Sequence, residues 1–314
     1  MSNTKILVTG AFGQIGSELV QALQKKYGKD SVVALGHVHI PSGFTGIVER
    51  IDITNTKDIK NLIEKYKITT IYHLVSLLSA KGENDPSLTW RINMDGLKLI
   101  LDIAAEKNIQ VFWPSSIAAF GPTTPQDNTP QKTVLEPTTM YGVTKVAGEL
   151  LCHYYYHKYG VDVRSLRYPG LISWKAEPGG GTTDYAVAIF YEAIKSGLYT
   201  CFVNEDTVLP MMYMDDAIDA TIQLMQTDSS KLTIRTSYNI AAISFSVKQL
   251  AEEINKHITV AVTYKPDQRQ KIADSWPKSI DDSVARKEWG WKHAFDLPRM
   301  TEVMLQELKK KLEK

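Results

Sequence analysis

Tyr141 and Lys145 stand four apart in the segment Tyr141-Gly142-Val143-Thr144-Lys145. On a helix that spacing stacks two side chains on one face, a turn apart. It brings an ammonium beside a phenol. A free tyrosine gives up its proton near pH ~10, too high for a base in a cell. A cation ~4 Å away, at an effective dielectric of ~20, favours the phenolate by about 4 kcal/mol. At ~1.4 kcal/mol per unit this lowers the pKa by about three units, before desolvation takes some back. The expected product is a tyrosine poised near neutrality, able to take the proton of an alcohol. Such pairs are common on helix surfaces, so the weight of this one depends on its companions.

Two segments supply them. Residues 5–9 form a short apolar run, read as a buried strand, and Gly10-Ala11-Phe12-Gly13-Gln14-Ile15-Gly16 follows at once. Leu19, Val20 and Leu23 then recur at helical spacing. Strand, glycine turn and helix are the parts of a dinucleotide site: the glycines let the backbone approach a pyrophosphate, and the helix N-terminus offers it unpaired N–H groups. The second segment, Pro114-Ser115-Ser116-Ile117-Ala118-Ala119-Phe120-Gly121, ends the apolar strand at 110–113. Ligands of an open parallel sheet lie beyond the carboxyl ends of its strands. A serine there can hold a reacting oxygen, although a pair of turn serines is the plainer reading of this segment alone.

Together these segments resemble the extended short-chain dehydrogenase/reductase family, that of the NAD-dependent epimerases and dehydratases, over nearly the whole chain. The resemblance sharpens at Pro169-Gly170-Leu171-Ile172-Ser173, at residues 178–186, at Leu209-Pro210-Met211-Met212-Tyr213-Met214-Asp215-Asp216 and at Ile272-Ala273-Asp274-Ser275-Trp276-Pro277. These are similar to the short-chain L-threonine 3-dehydrogenases. The resemblance implies oxidation of the C3 hydroxyl of L-threonine with NAD, giving 2-amino-3-oxobutanoate. Tyr141 would be the base, assisted by Lys145 and Ser116. Gly10, Phe12, Gly13, Gln14, Ile15 and Gly16 would surround the pyrophosphate, and Asp52, followed by Ile53, would hold the adenine amino group. Leu74, Val75 and Ser76 would line the pyrophosphate and ribose. Lys145 would also meet the nicotinamide ribose. Ser115, Tyr168, Pro169 and Leu171 complete the implied cofactor set. Asn93 would support a water relay to Lys145, with a structural role in its helix as the alternative. On the substrate side the resemblance implies Ser79, Thr183, the backbone of Gly180 and Gly181, and Trp276 as an apolar wall, beside Ser116 and Tyr141. Two long helices, near 86–106 and 141–159, imply a homodimer.

One position departs from the pattern. An acidic residue at the end of the second strand usually accepts hydrogen bonds from the adenine ribose. Here Gly36 is followed by His37-Val38-His39. Neither the carboxylate that excludes a 2′-phosphate nor an arginine or lysine that attracts one is present. NAD is kept on the family resemblance, with weaker discrimination expected. His37 reads as a loop residue or an adenosine contact.

A nucleotide-sugar epimerase or dehydratase would share the glycine turn, Ser116, Tyr141 and Lys145. Its diphosphate substrate needs cations. Between Tyr168 and Ile234 there is no arginine, and the lysines are Lys175, Lys195 and Lys231. That favours a small substrate. A protein that senses NAD or NADP without turnover would not need the phenol–ammonium pair.

The chain has 314 residues, enough for one or two domains, with 36 basic and 35 acidic side chains. Balanced charge argues against nucleic acid and membrane surfaces as partners. No apolar stretch reaches spanning length, and a strand starting at Lys5 leaves no signal peptide. Cys152 and Cys201 make no disulfide framework and fit a cytoplasmic protein. No metal site is read.

Periodicity places strands at 31–35, 47–51, 70–73 and 161–166, and helices at 57–66, 86–106 and 141–159. Asp85 before Pro86 suits a helix start. Residues 122–137 and the glycine-rich 178–184 read as loops, the latter a lid over the site. Helices are expected at 185–195, 216–226 and 298–312, a strand at 258–264, and a capping box at Ser246-Val247-Lys248-Gln249. Asp215 and Asp216 read as helix caps. The expected fold is α/β: a Rossmann-type, doubly wound parallel sheet in residues 1–168, with a return near 237–255. Residues 169–314 would form mostly a smaller α/β substrate domain.

Overall fold

The computed structural model describes residues 4–37, 40–41 and 43–313. In its first half strands and helices alternate: β1 (Ile6–Thr9), α1 (Gln14–Tyr27), β2 (Val32–Gly36), β3 (Ile47–Arg50), α2 (Thr56–Tyr66), β4 (Thr70–His73), α3 (Ser79–Asn84), α4 (Pro86–Trp90), α5 (Gly96–Lys107), β5 (Gln110–Ser116), α6 (Met140–Tyr159) and β6 (Val163–Tyr168). The second half holds β7 (Gly170–Ile172), α7 (Tyr185–Lys195), β8 (Leu198–Cys201), β9 (Val208–Tyr213), α8 (Met214–Gln226), β10 (Tyr238–Asn239), β11 (Ile243–Ser246), α9 (Val247–Asn255), β12 (Ala261–Tyr264), α10 (Gln268–Asp274), α11 (Ser283–Trp289) and α12 (Leu297–Leu312).

Seven strands form one sheet in the order β10-β6-β5-β4-β1-β2-β3, all parallel. Helices cover both faces, which is why β1, β2 and β6 are buried along their whole length. The chain reverses direction across the sheet between β1 and β4. The crevice at that switch point is where such sheets bind ligands. From the second half of the chain, β10 adds to the sheet edge beside β6.

The expected helix at 86–106 has an internal feature that periodicity does not reveal. Asp85 caps it through a 2.9 Å hydrogen bond from the Leu88 N–H, with Pro86 in the first turn. Residues Arg91–Asp95 then form a π-helical turn before α5. Such a widened turn inserts a residue into the helical ladder, and such turns are frequent at functional sites. Asn93 lies in it.

A smaller additional domain is built from the sheet β11-β9-β7, the pair β12-β8, and α7, α9 and α12 around one apolar core. Ser246 makes the expected capping box with Gln249. The division of the chain is less simple than a cut at 168. Helix α8 packs on α1 and β6, and Trp289 and Trp291 join the same core. The chain therefore returns to the central sheet more than once. Asp216 is also not a cap: it is buried, and its carboxylate accepts from the N–H groups of Ala294 (2.7 Å) and Phe295 (3.1 Å), pinning the segment before α12.

Helix α6 sits with its first turn at the carboxyl end of β5. Thr139 caps it by accepting from the Gly142 N–H. A Cβ at Gly142 would lie 2.3 Å from the Ala118 carbonyl oxygen and 2.5 Å from Pro137. A backbone oxygen cannot yield cheaply, so this glycine sets how closely the helix approaches the sheet. Gly142→Ala is expected to destabilise the fold by about 1–3 kcal/mol, as overpacking does, read from urea denaturation.

Candidate active site

The turn after β1 is built by two close approaches. Gly10 has φ of 70°, and a Cβ there would fall 3.0 Å from the Leu74 and Val75 backbone at the end of β4. At Gly16 a Cβ would lie 2.2 Å from the Gly10 carbonyl oxygen. Gly16 therefore closes the turn from beneath. Helix α1 starts at Gln14 with no side-chain cap and no acidic residue in its first turn. Its N–H groups are left for an anion.

A cavity of about 460 Å³ opens from this turn along the ends of β2, β3 and β4. Gly10, Gly13, His37, Asp52, Ile53, Leu74, Val75 and Ser76 all border it. So do Leu88, Arg91 and Ile92, which sequence reasoning missed. They come from α4 and the π-helical turn, and only the fold brings that helix over β4. Asp52 accepts from both the N–H (2.9 Å) and the hydroxyl (2.8 Å) of Thr54. Those bonds first, and then the charges of His37 and Arg91, hold its carboxyl below the usual range. Val38 and His39 lie outside the described residues. Phe12 packs edge-on against Phe44, 5.2 Å between ring centres, and borders the space between the glycine turn and the 175–184 loop.

A second cavity, about 150 Å³, adjoins the first across Leu74 and Ser76. Gln14, Ile15, Ser115, Ser116, Tyr141, Lys145, Tyr168, Pro169, Leu171, Gly181, Thr183 and Trp276 border it. Tyr141 and Lys145 point to one side of α6, with the lysine Nζ 5.2 Å from the tyrosine ring centre. Tyr141 and Ser116 border the same cavity, and the Ser116 hydroxyl acts to lower the tyrosine's pKa. The Lys145 ammonium, 2% exposed, donates to the Pro114 carbonyl oxygen at 2.7 Å and lies 4.6 Å from the Trp113 ring centre.

The electrostatic expectation needs correction. Burial pushes Tyr141 up to about 12, with the Ser116 hydroxyl opposing it. Burial likewise brings Lys145 down to about 7. Desolvation thus outweighs the lysine's pull in the chain by itself. The geometry supplies a phenol, a hydroxyl and a titrating amine in contact range. It does not supply a preformed phenolate.

The other expected site residues are placed as follows. The Asn93 amide donates to Thr144 Oγ1 (3.1 Å) and the Leu77 carbonyl oxygen (3.2 Å), and its carbonyl accepts from the Leu77 N–H (2.8 Å). It ties the strand-four loop to α6. The Ser115 hydroxyl is committed to Glu149 at 2.6 Å. The N–H groups of Gly180 and Gly181 donate to Asp184 Oδ2, at 2.7 and 2.8 Å, so they are closed on their own loop and not offered to a carboxylate. Gly180 borders a neighbouring cavity with Glu83 and Arg269. The Ser79 side chain lies outside the described residues. Trp276, 6% exposed, borders the same cavity as Tyr141.

The residues present fit a dinucleotide: the glycine turn, packed too closely to admit a Cβ at Gly10 or Gly16, lies above an uncapped helix. The chain matches the family model described as "NAD dependent epimerase/dehydratase family" over residues 6–241. An uncharacterized epimerase/dehydratase of Staphylococcus haemolyticus is 50% identical, covering 98% of each chain. The mitochondrial L-threonine 3-dehydrogenase of Bos taurus is 47% identical over 96% of this chain and 82% of its own. A solved structure described as a monomeric L-threonine 3-dehydrogenase from a metagenome is 49% identical, with a TM-score of 0.95 over 97% of this chain and 99% of that one.

The lowered Lys145 pKa has a measurable consequence. Between about 7 and the ordinary lysine value of 10.5, the unfolded chain holds the proton and the folded chain does not. Folding then releases a proton, so stability rises with pH through that window. In cofactor-free protein between pH 7 and 8.5, the stability of the wild type relative to Lys145→Met is expected to rise by up to about 1.4 kcal/mol per pH unit. Urea denaturation across that range checks it.

Proposed function

The chain belongs to the NAD dependent epimerase/dehydratase family, and from that premise we propose that it oxidises the C3 hydroxyl of L-threonine to 2-amino-3-oxobutanoate with NAD. One observation carries the choice of substrate. Among the described residues, Lys145 is the single lysine or arginine bordering the second cavity, and Asp184 the single acidic residue. A sugar nucleotide's diphosphate needs a cationic clamp. Lys175, the nearest other cation along the loop, is paired with Glu18 at 2.9 Å. A small uncharged alcohol or amino acid suits this lining, and relatives near half identity carry the threonine dehydrogenase name.

In this reading Ser116 holds the substrate oxygen and Tyr141 takes its proton. NAD, when bound, accepts the hydride and brings a positive ring. Lys145 keeps a second positive charge behind the phenol, and burial keeps water from screening it. Thr183 and Trp276 border the substrate end. The Asp184-closed glycine turn acts as the lid, and residues 169–314 form most of the substrate-binding domain against a cofactor domain of 1–168. A protein that only senses the nucleotide would have no use for a buried amine beside a phenol. Both cysteines are free and buried, in keeping with a cytoplasmic location.

NADH formation with L-threonine, L-allo-threonine and L-serine, using NAD and NADP, tests the substrate. L-Threonine with NAD is expected to be preferred. Tyr141→Phe is expected to lower kcat by about 10³-fold or more while NAD affinity stays within about twofold. Retained turnover would remove Tyr141 as the base.

We further propose a homodimer paired through α6 and the 86–107 helical run. Val143, Leu150, Tyr154 and Tyr159 are exposed on α6, and Trp90 on α4. Contiguous exposed apolar side chains mark association surfaces. The relative described as monomeric makes a monomer the second reading. Sedimentation velocity decides between them. A dimer that Leu150→Glu dissociates is expected, and a monomeric wild type sinks it.

A further inference from the structure

Glu149 lies one helical turn beyond Lys145 and is 1% exposed. Its Oε1 accepts from the Ser115 hydroxyl (2.6 Å) and Arg167 Nε (2.8 Å), and its Oε2 from Arg167 Nη2 (2.7 Å). Arg167, on β6 and 3% exposed, also donates from Nη1 to the Gln131 carbonyl oxygen (3.1 Å) and Asn239 Oδ1 (2.9 Å). One buried ion pair therefore joins α6, β5, β6, β10 and the 122–137 loop.

A buried ion pair is a weak source of stability. Desolvation offsets most of its attraction, and apolar residues of similar size often serve as well. Its placement asks for another role. Ser115 immediately precedes Ser116 on β5. Among the described residues the Lys145 ammonium donates to the neutral Pro114 carbonyl. Burial lowers its proton affinity first, and Cys152 and then the Glu149 carboxylate, one turn along the helix, oppose that. Other titratable groups facing Lys145 are Tyr141 and Cys152 on its own helix and His73 at the end of β4. Burial keeps Cys152 protonated and His73 neutral, the latter bonded through Nδ1 to the Thr9 hydroxyl at 2.8 Å. Arg167 is paired with that same Glu149 carboxylate.

We propose that Glu149 is a positioning residue for this reaction: it keeps Lys145 charged and fixes the Ser115–Ser116 strand end, while Arg167 sets how much of its negative charge the lysine receives. The proposal rests on the reading of Tyr141 and Lys145 as the proton-transfer pair. It makes a prediction of sign that a merely structural prop does not. Glu149→Gln leaves two buried cations without a carboxylate, so Lys145 loses its proton at lower pH. Arg167→Gln frees the Glu149 charge, so Lys145 keeps its proton to higher pH.

The test is an NMR titration of cofactor-free protein labelled with ¹³C at lysine Cε, with the Lys145 signal assigned by Lys145→Arg. The wild-type midpoint is expected near 7. Shifts in opposite directions, each of about half a pH unit or more, are expected for the two single variants. The acid limb of turnover should move inversely, to higher pH in Glu149→Gln and to lower pH in Arg167→Gln. Breaking a buried pair can prevent folding, so Glu149→Met/Arg167→Met, which strands no charge, is the tolerant control. Its Lys145 midpoint is expected below the wild type's, because Glu149, one turn along the same helix, acts to keep the lysine's proton on. No shift in the double variant, or shifts of one sign in both singles, overturns the proposal. A wild type inactive toward every alcohol tested would overturn the functional reading instead, while the titration still decides this one.

Discussion

An amine held out of water governs the active site. Lys145 has a carbonyl and two ring faces for company and a carboxylate one turn away. The interior that strengthens its field on the phenol also weakens its hold on its own proton. Every nearby feature bears on that balance. Trp113 and Pro114 receive the ammonium from β5, Ser116 lowers the cost of a phenolate, and the neutral His73 adds no rival charge. Charge near the phenol is thus scarce, and a positively charged ring arriving at the site acts where the chain itself falls short.

The two cavities are joined by backbone rather than by side chains. Because β1 and β4 are neighbours, the turns that follow them meet, and Gly10 lets that meeting occur at van der Waals distance. The wall opposite comes from α4 and the π-helical turn. There Asn93 braces the strand-four loop against α6 through three hydrogen bonds. The floor of the cofactor site and the helix bearing Tyr141 are in this way mechanically one piece. The 173–184 loop is different in kind. Its base is held by the contacts of Ser173 and Lys175 with Glu18, and at its tip the N–H groups of Gly180 and Gly181 donate to Asp184. A segment anchored at its base and self-bonded at its tip suits a cover that moves.

Much of this was legible beforehand because it is local. A phenol and an amine four apart must share a helix face whatever surrounds them. Gly-x-x-Gly-x-x-Gly after an apolar run must turn tightly, because only glycine tolerates the approaches found at Gly10 and Gly16. The caps at Asp85 and Ser246 involve residues three apart, and both form. The loops at 122–137 and 178–184 follow from proline and glycine in the same way.

What only the tertiary structure decided depends on distance in sequence. Arg91 borders the cofactor cavity because a helix from beyond β4 folds back over it. Asp216 serves a segment nearly eighty residues later instead of its own helix. Ser115 meets Glu149, and Glu149 meets Arg167, only once β5, α6 and β6 are stacked. The same holds for the proton affinities. The spacing of Tyr141 and Lys145 was written in the chain, but their burial was not, and burial moved both pKa values against the direction that spacing alone implies. Covalent order dictates which groups can touch through a single turn. Solvent exclusion is a property of the assembled fold, and it sets what those contacts are worth.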